Sequence, residues 1–275
     1  MHNDAKRILK ERGEVCKGKS LQADKMKEYL NDFLLFFQFF TRIPINKSLN
    51  CEKENFRRGS IFFPVVGLFI GLVQWLVYYI LIKVLPINIT AVFVVIIPIV
   101  ITGGLHVDGL GDTCDGFFSL KGGKDKIIEV MKDSRVGTYA SIAIVFDMLA
   151  RYAAVSTIIE INLPLILIAT PVIARFTVVF ISFIGKNAKE KGSGNIFIGN
   201  IDMKRLVITG ITTIILGTLL IGFNKSAILI VSGMVLSFLF NKFCESKITG
   251  LTGDSLGANN ELVEILIMIL FVAMN

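Results

Sequence analysis

The chain has 275 residues, 53% of them hydrophobic, with a mean hydropathy of +0.67. That is too apolar for an ordinary soluble domain, and several runs approach or pass the roughly 18–20 apolar residues that cross a bilayer. An all-α, polytopic membrane bundle is expected. The net charge of +7 suits nucleic acid or anionic lipid as well as basic membrane loops.

Residues 1–28 are polar and charged without apolar periodicity. They read as a cytoplasmic extension ahead of a membrane-embedded domain over 29–275. No short apolar core with a small-residue cleavage site follows, so no cleaved signal peptide is expected. Residues 30–45 hold an apolar stretch around Gln38 that ends near Pro44. It is too short to span easily and fits an interfacial or re-entrant helix. Arg42 then lies at headgroup level, either snorkelling or meeting a substrate phosphate.

Spans are predicted over about residues 61–82, 89–105, 137–159, 163–184, 206–223 and 227–243. A polar loop over 245–260 leads to an apolar tail over 262–274, which is marginal in length for a span. The count is therefore six or seven. With the N-terminus inside, the inside segments carry 25 Lys and Arg and the outside segments 2. Leaving out residues 1–58, the split is still 12 to 2. This positive-inside pattern places every Gly/Asp-rich loop on the cytoplasmic side of the cell membrane. It also accounts for the net charge without nucleic acid. The four cysteines, Cys16, Cys51, Cys114 and Cys244, form no CxxC or zinc spacing and read as free thiols.

The most informative stretch is Gly103-Gly-Leu-His-Val-Asp-Gly-Leu-Gly-Asp-Thr-Cys-Asp-Gly116. In a helix, Asp108, Asp112 and Asp115 fall at i, i+4 and i+7, within an arc of about 60°. Three like charges on one face call for a cation, and Mg²⁺ typically takes one or two carboxylates plus phosphate oxygens and water. His106 points to a different face and reads as an interfacial histidine, a phosphate contact or a proton acceptor. In Met131-Lys-Asp-Ser-Arg-Val-Gly-Thr-Tyr139, Lys132 and Arg135 suit a pyrophosphate and Asp133 suits the metal; a charged pre-membrane cap is the plainer reading.

Asp147 and Arg151 are spaced as an internal i,i+4 ion pair. Arg175 sits mid-span with no carboxylate nearby in sequence, which marks it as a functional candidate. The loop Gly250-Leu-Thr-Gly-Asp254-Ser-Leu-Gly-Ala-Asn-Asn-Glu261 reads as a plain turn or as a second carboxylate cluster facing the first.

Together these motifs resemble the cobalamin synthase family. The match is carried by residues 103–116, 132–139, the stretch ending at Arg175 and residues 252–261, with Phe39–Pro44 and Phe63-Pro64-x-x-Gly67 adding to it. The long charged extension departs from the family pattern, as does the loop over 185–194.

The resemblance implies a membrane transferase that joins adenosylcobinamide-GDP to α-ribazole or its 5′-phosphate, with Mg²⁺, releasing GMP. It implies metal binding by Asp108, Asp112, Asp115 and Asp133, and substrate contacts from Lys132, Arg135, Arg175 and Arg42. Asp254 or Glu261 would complete the metal site or take the hydroxyl proton, with His106 as a further base. Lipid is the expected surroundings; a homo-oligomer or other proteins of the pathway are the candidate protein partners. Two other classes compete. One is a prenyltransferase-like or CDP-alcohol-phosphotransferase-like enzyme, although the second Asp-rich motif of the first and the Asp-Gly-x-x-Ala-Arg core of the second are missing. The other is a cation transporter, disfavoured because the carboxylates gather at helix ends rather than mid-bilayer.

Overall fold

The computed structural model describes residues 25–119, 122–189 and 192–275. Most of the charged extension, residues 1–24, lies outside the described residues. The first helix, α1 (residues 25–40), lies against the bundle and is followed by irregular chain over 41–52. Its buried face is aromatic: Phe36 and Phe40 meet Phe63 at ring-centroid distances of 5.1 and 4.6 Å. Asp32, fully buried on the same helix, is paired to Arg58 and accepts from Asn55 Nδ2 at 2.8 Å. A second ion pair, Glu28 to Arg58 at 2.6 Å, ties down the first turn.

Helix α2 (Lys53–Gly59) runs through a 3₁₀ turn into α3 (Phe63–Leu81), and α4 (Ile87–Thr102) returns. Gly103 and Gly104 then take left-handed φ values of 65° and 76°, a conformation open to glycine at little cost. The chain turns there by 89°, so that α5 (Leu105–Phe118) lies across the axis of α4. Carbonyls freed at the break are recovered by Gly104 N–H on Ile99 at 2.8 Å and by Arg42 N–H on Ile101 at 2.7 Å.

After the short α6 (Lys124–Val130) come α7 (Thr138–Glu160), α8 (Ile166–Ile184), α9 (Met203–Ile221), α10 (Phe223–Ile248) and α11 (Gly253–Ala273). Six helical stretches are long and apolar enough to cross a membrane, or seven when the bent α4–α5 pair counts as one. The chain is an all-α, multi-pass membrane bundle. Exposed Leu219, Val231 and Phe238 on α9 and α10 give it the apolar outer face that lipid requires.

The polar loop expected over 245–260 is a correction. Helix α10 continues to Ile248 and α11 begins at Gly253, leaving four connecting residues. Thr252 and Ser255 form a reciprocal capping box that starts the helix among polar residues: Thr252 N–H donates to Ser255 Oγ at 2.7 Å and Ser255 N–H to Thr252 Oγ1 at 3.2 Å. The polar residues that follow are buried against other helices rather than solvated. The marginal tail is thus the second half of a 21-residue span.

Helix α8 is central, with every residue from Ile166 to Ser182 buried except Phe180. It crosses α3 at close range. A Cβ on Gly67 would lie 2.4 Å from the carbonyl oxygen of Pro171, and one on Gly71 would lie 2.7 Å from Ile168 Cα. Backbone cannot yield there as a side chain can. Gly67→Ala should therefore destabilise the fold by about 1–3 kcal/mol, the usual scale of overpacking. The check is thermal unfolding in detergent, with Gly123→Ala as the control, since nothing lies within 4 Å of a Cβ there.

Candidate active site

Helices α5 and α11 meet almost backbone to backbone. A Cβ on Gly109 would lie 2.6 Å from the carbonyl oxygen of Asp254, and one on Gly257 would lie 3.2 Å from the backbone of His106. This contact sets the carboxylates of Asp108 and Asp112, one turn apart on α5, beside Asp254 in the first turn of α11. The three are close enough for the charges on Asp108 and Asp254 to act on Asp112.

Asp108 is where three cavities meet. The first, about 680 Å³, runs along the bend between α4 and α5 and carries Arg42 and Gln38. The second, about 290 Å³, carries Asp112, Lys132, Asp133 and Arg135. The third, about 130 Å³, carries His106 and Asp254 in front of an aromatic wall. Arg42 packs on Gly103, where any side chain would collide with its guanidinium. Lys132 forms no ion pair among the described residues. Lys189, from the loop after α8, is near enough to feel the charges of Asp254, Lys132 and Asp112. Burial lowers Lys189 from its ordinary value, with Asp254 opposing the shift and the like charge of Lys132 adding to it.

The structure brings Asp133 and Arg135 to these cavities with Asp108, Asp112 and Lys132, but the carboxylates of Asp115 and Asp133 are already engaged. Asp115 is buried and turned to the start of α7, where it accepts from Gly137 N–H at 2.7 Å and Ala140 N–H at 2.9 Å. Its negative charge is well placed at a helix N-terminus. Asp133 is clamped by Arg135, with Nη2 to Oδ2 at 2.6 Å and the Arg135 backbone N–H on Oδ1 at 3.1 Å. Those hydrogen bonds hold it at about 2, and the side chain of Arg135 is 88% exposed.

Glu261 and Arg175 lie deeper, inside the bundle. Arg151 on α7 reaches Asp147 at 3.0 Å, Glu261 at 2.6 Å and Glu264 at 2.7 Å. The internal Asp147–Arg151 pair is present as the spacing predicts. Arg175 on α8 is 1% exposed and pairs with Glu264 at 3.0 Å and with Asn260. Its carboxylate, missing from the neighbouring sequence, comes from 89 residues away. His106 sits between this network and the cleft: it lines the aromatic cavity and also a small cavity with Arg151, Arg175, Glu261 and Glu264.

Sequence reasoning missed Lys189, Glu264 and Asn260. Glu264 carried a usable signal, because a carboxylate three residues after Glu261 lies on the same helical face. Lys189 carried none, since its place depends on how the loop folds back.

Asp108, Asp112 and Asp254 fit a hard divalent cation in donor type, and the charge they share would be offset by one. Among the described residues no three of His, Cys, Asp and Glu converge tightly enough to hold an ion by themselves. That donor set suits an ion whose shell is completed by phosphate oxygens and water.

A bundle of membrane helices with an acidic, lysine-flanked cleft at one end belongs to the class of integral membrane transferases that act on phosphate esters. The sequence comparisons narrow it. The family model for cobalamin-5-phosphate synthase matches residues 32–272, and the chain belongs to that family. It is 53% identical over 247 residues to the adenosylcobinamide-GDP ribazoletransferase of Clostridium tetani, covering 90% of this chain and 98% of that protein. The protein of the same name from Clostridium kluyveri (strain ATCC 8527 / DSM 555 / NBRC 12016 / NCIMB 10680 / K1) is 52% identical, with 89% and 97% covered. That of Clostridium botulinum (strain Okra / Type B1) is 47% identical, with 90% and 99% covered. No solved structure matches. Family membership sets aside the prenyltransferase-like, CDP-alcohol-phosphotransferase-like and transporter readings.

The buried network makes a prediction independent of the reaction. Glu264→Leu leaves both guanidiniums short of a carboxylate and should cost about 3–5 kcal/mol, as breaking a buried pair does. Detergent-phase thermal unfolding should show the loss, and Arg135→Ala, at an exposed pair, should leave the midpoint unchanged.

Proposed function

We propose that this chain joins adenosylcobinamide-GDP to α-ribazole or its 5′-phosphate, releasing GMP, in the cleft around Asp108. Membership of the cobalamin-5-phosphate synthase family supports the joining step. The observation that carries the location is the convergence of Asp108, Asp112 and Asp254 with Lys132 and Lys189.

In this reading a ribose hydroxyl attacks the cobinamide-side phosphorus. One P–O bond forms, the P–O bond to GMP breaks, and the hydroxyl proton passes to a carboxylate oxygen of Asp254. Lys132 and Lys189 offset negative charge on the pyrophosphate and on departing GMP, and Arg42 is placed to meet phosphate from the far side of Asp108. Such a reaction asks a protein for alignment and charge neutralisation more than for covalent participation. Asp108 and Asp112 would hold Mg²⁺, which when bound supplies Lewis-acid stabilisation of phosphoryl oxygens. Asp115, Asp133, Glu261 and Arg175 are read as supporting residues, because their charged atoms already have protein partners.

The test uses the full chain in lipid nanodiscs. GMP release should require both substrates, and EDTA should stop it until Mg²⁺ is restored. Asp112→Asn should lower kcat by roughly 100-fold or more, the scale of losing a group that stabilises developing charge. Lys132→Ala should mainly raise the KM for the GDP-bearing donor. Full activity of Asp112→Asn would remove the metal assignment.

The cleft is read as cytoplasmic, in the cell membrane, from the excess of Lys and Arg at that end. Exposed Cys51, on the segment leading from Arg42 to α2, reports on it. In a Cys16→Ser background an impermeant maleimide should label Cys51 in inverted vesicles and not in intact cells. The reverse pattern would overturn the orientation.

A further inference from the structure

The cavity of about 130 Å³ beside Asp108 is built from two unlike halves. Its inner wall comes from Phe40, Phe63, Val178, Phe197 and Leu256, all buried. Four helices and the loop after α8 contribute to that wall. At the opposite side stand exposed Asp108 and half-buried Asp254. An apolar cavity of roughly 150 Å³ takes up one benzene ring, so this one is sized for one ring of a flat aromatic group, with the remainder of the group at its open mouth. Phenylalanine rings add edge and face contacts to the burial itself.

We infer that this cavity is the subsite for the base of the nucleoside acceptor, and that it selects a flat aromatic base with apolar edges. The inference rests on the transferase reading above and adds to it the direction from which each substrate arrives. The guanine of the donor is a poor occupant. Its ring edge carries donors and acceptors on several sides; the Phe, Val and Leu side chains of the inner wall offer them none, which leaves His106, Asp108 and Asp254 as the polar side chains within the lining, and each buried polar group left unpaired costs about 1–3 kcal/mol. A benzimidazole-type base has a hydrocarbon edge and loses nothing there. With the base in the cavity, the attached ribose emerges between Asp254 and Asp108, where a hydroxyl must lose its proton. The donor then enters by the cavity of about 290 Å³ that Asp108 shares with Lys132, with its GDP against that lysine. The two substrates meet at Asp108 from opposite sides.

Val178 sets the depth of the cavity from α8 and contributes no polar atom. Val178→Phe should make it shallower. In the full chain in nanodiscs, the KM for 5,6-dimethylbenzimidazole riboside phosphate should rise by about tenfold or more relative to the unsubstituted benzimidazole riboside phosphate, the scale of one or two misfitted methyl groups. The KM for the GDP-bearing donor should stay within about twofold, since its subsite is untouched. Val178→Ala should shift the preference the opposite way, which a general packing defect does not do. Equilibrium dialysis with free 5,6-dimethylbenzimidazole separates base binding from turnover: saturable binding to the unaltered protein should be lost in Val178→Phe. If the base binds and responds to Val178 while no GMP is released, the cavity assignment stands and the reaction assignment fails. If GMP is released but base preference and base binding ignore both substitutions, the cavity assignment is overturned.

Discussion

The near-contact of α5 with α11 is the constraint on which the site depends. Acidic side chains on two different helices repel, and nothing in their own chemistry would bring them together. Gly109 and Gly257 remove the side chains that would otherwise hold the two backbones apart, and Asp254 then faces Asp108 and Asp112. The energy for that approach has to come from elsewhere. The left-handed pair Gly103 and Gly104 keeps its cost low by letting α5 lie across the bundle end instead of continuing the axis of α4. The energy comes from the packed apolar clusters that the two halves of α8 join, one around residues 166–176 and one around residues 178–181.

Below the cleft, Arg151 and Arg175 meet Asp147, Glu261 and Glu264 in a closed network. Burying five charged groups is expensive, and such pairs add little net stability compared with apolar residues of the same shape. Their effect here is on register. Each guanidinium has partners on a named face of a neighbouring helix, so α7, α8 and α11 cannot rotate or slide without stranding a charge. His106 on α5 lines a small cavity with Arg151, Arg175, Glu261 and Glu264, between this network and the cleft. Packing by Leu and Ile alone would allow several near-equal rotations of the same helices.

The fold was largely legible in the sequence because each apolar run must satisfy its own backbone in lipid, and only helices do so within one run. The turn spacing of Asp108 and Asp112 likewise needs no tertiary knowledge. The same spacing puts Asp115 on their face, yet two N–H groups at the start of α7 claim it, and that depends on how α7 docks. Residues 245–260 read as a loop because polar residues beside an apolar tail are usually solvated. All but the four connecting residues are helical, and Arg151, 110 residues earlier in the chain, supplies the partner that lets Glu261 be buried just past the end of this stretch. Arg175 looked unpaired for the same reason. Partnerships over such separations leave no local trace, whereas caps, glycine breaks and helical spacing do.

The hydrogen bonds from Gly137 and Ala140 to Asp115 also link two parts of the cleft mechanically. The helix bearing Asp108 and Asp112 is pinned at its far end to the first turn of α7, which directly follows Lys132 and Arg135. A tilt of α5 that redirects its acidic face must drag that cationic segment with it, or leave the buried amide of Ala140 and the half-buried amide of Gly137 without their acceptor. Any rearrangement of this end therefore moves the acidic and basic walls as one jointed piece, and the close contact of α5 with α11 ties Asp254 to it as well.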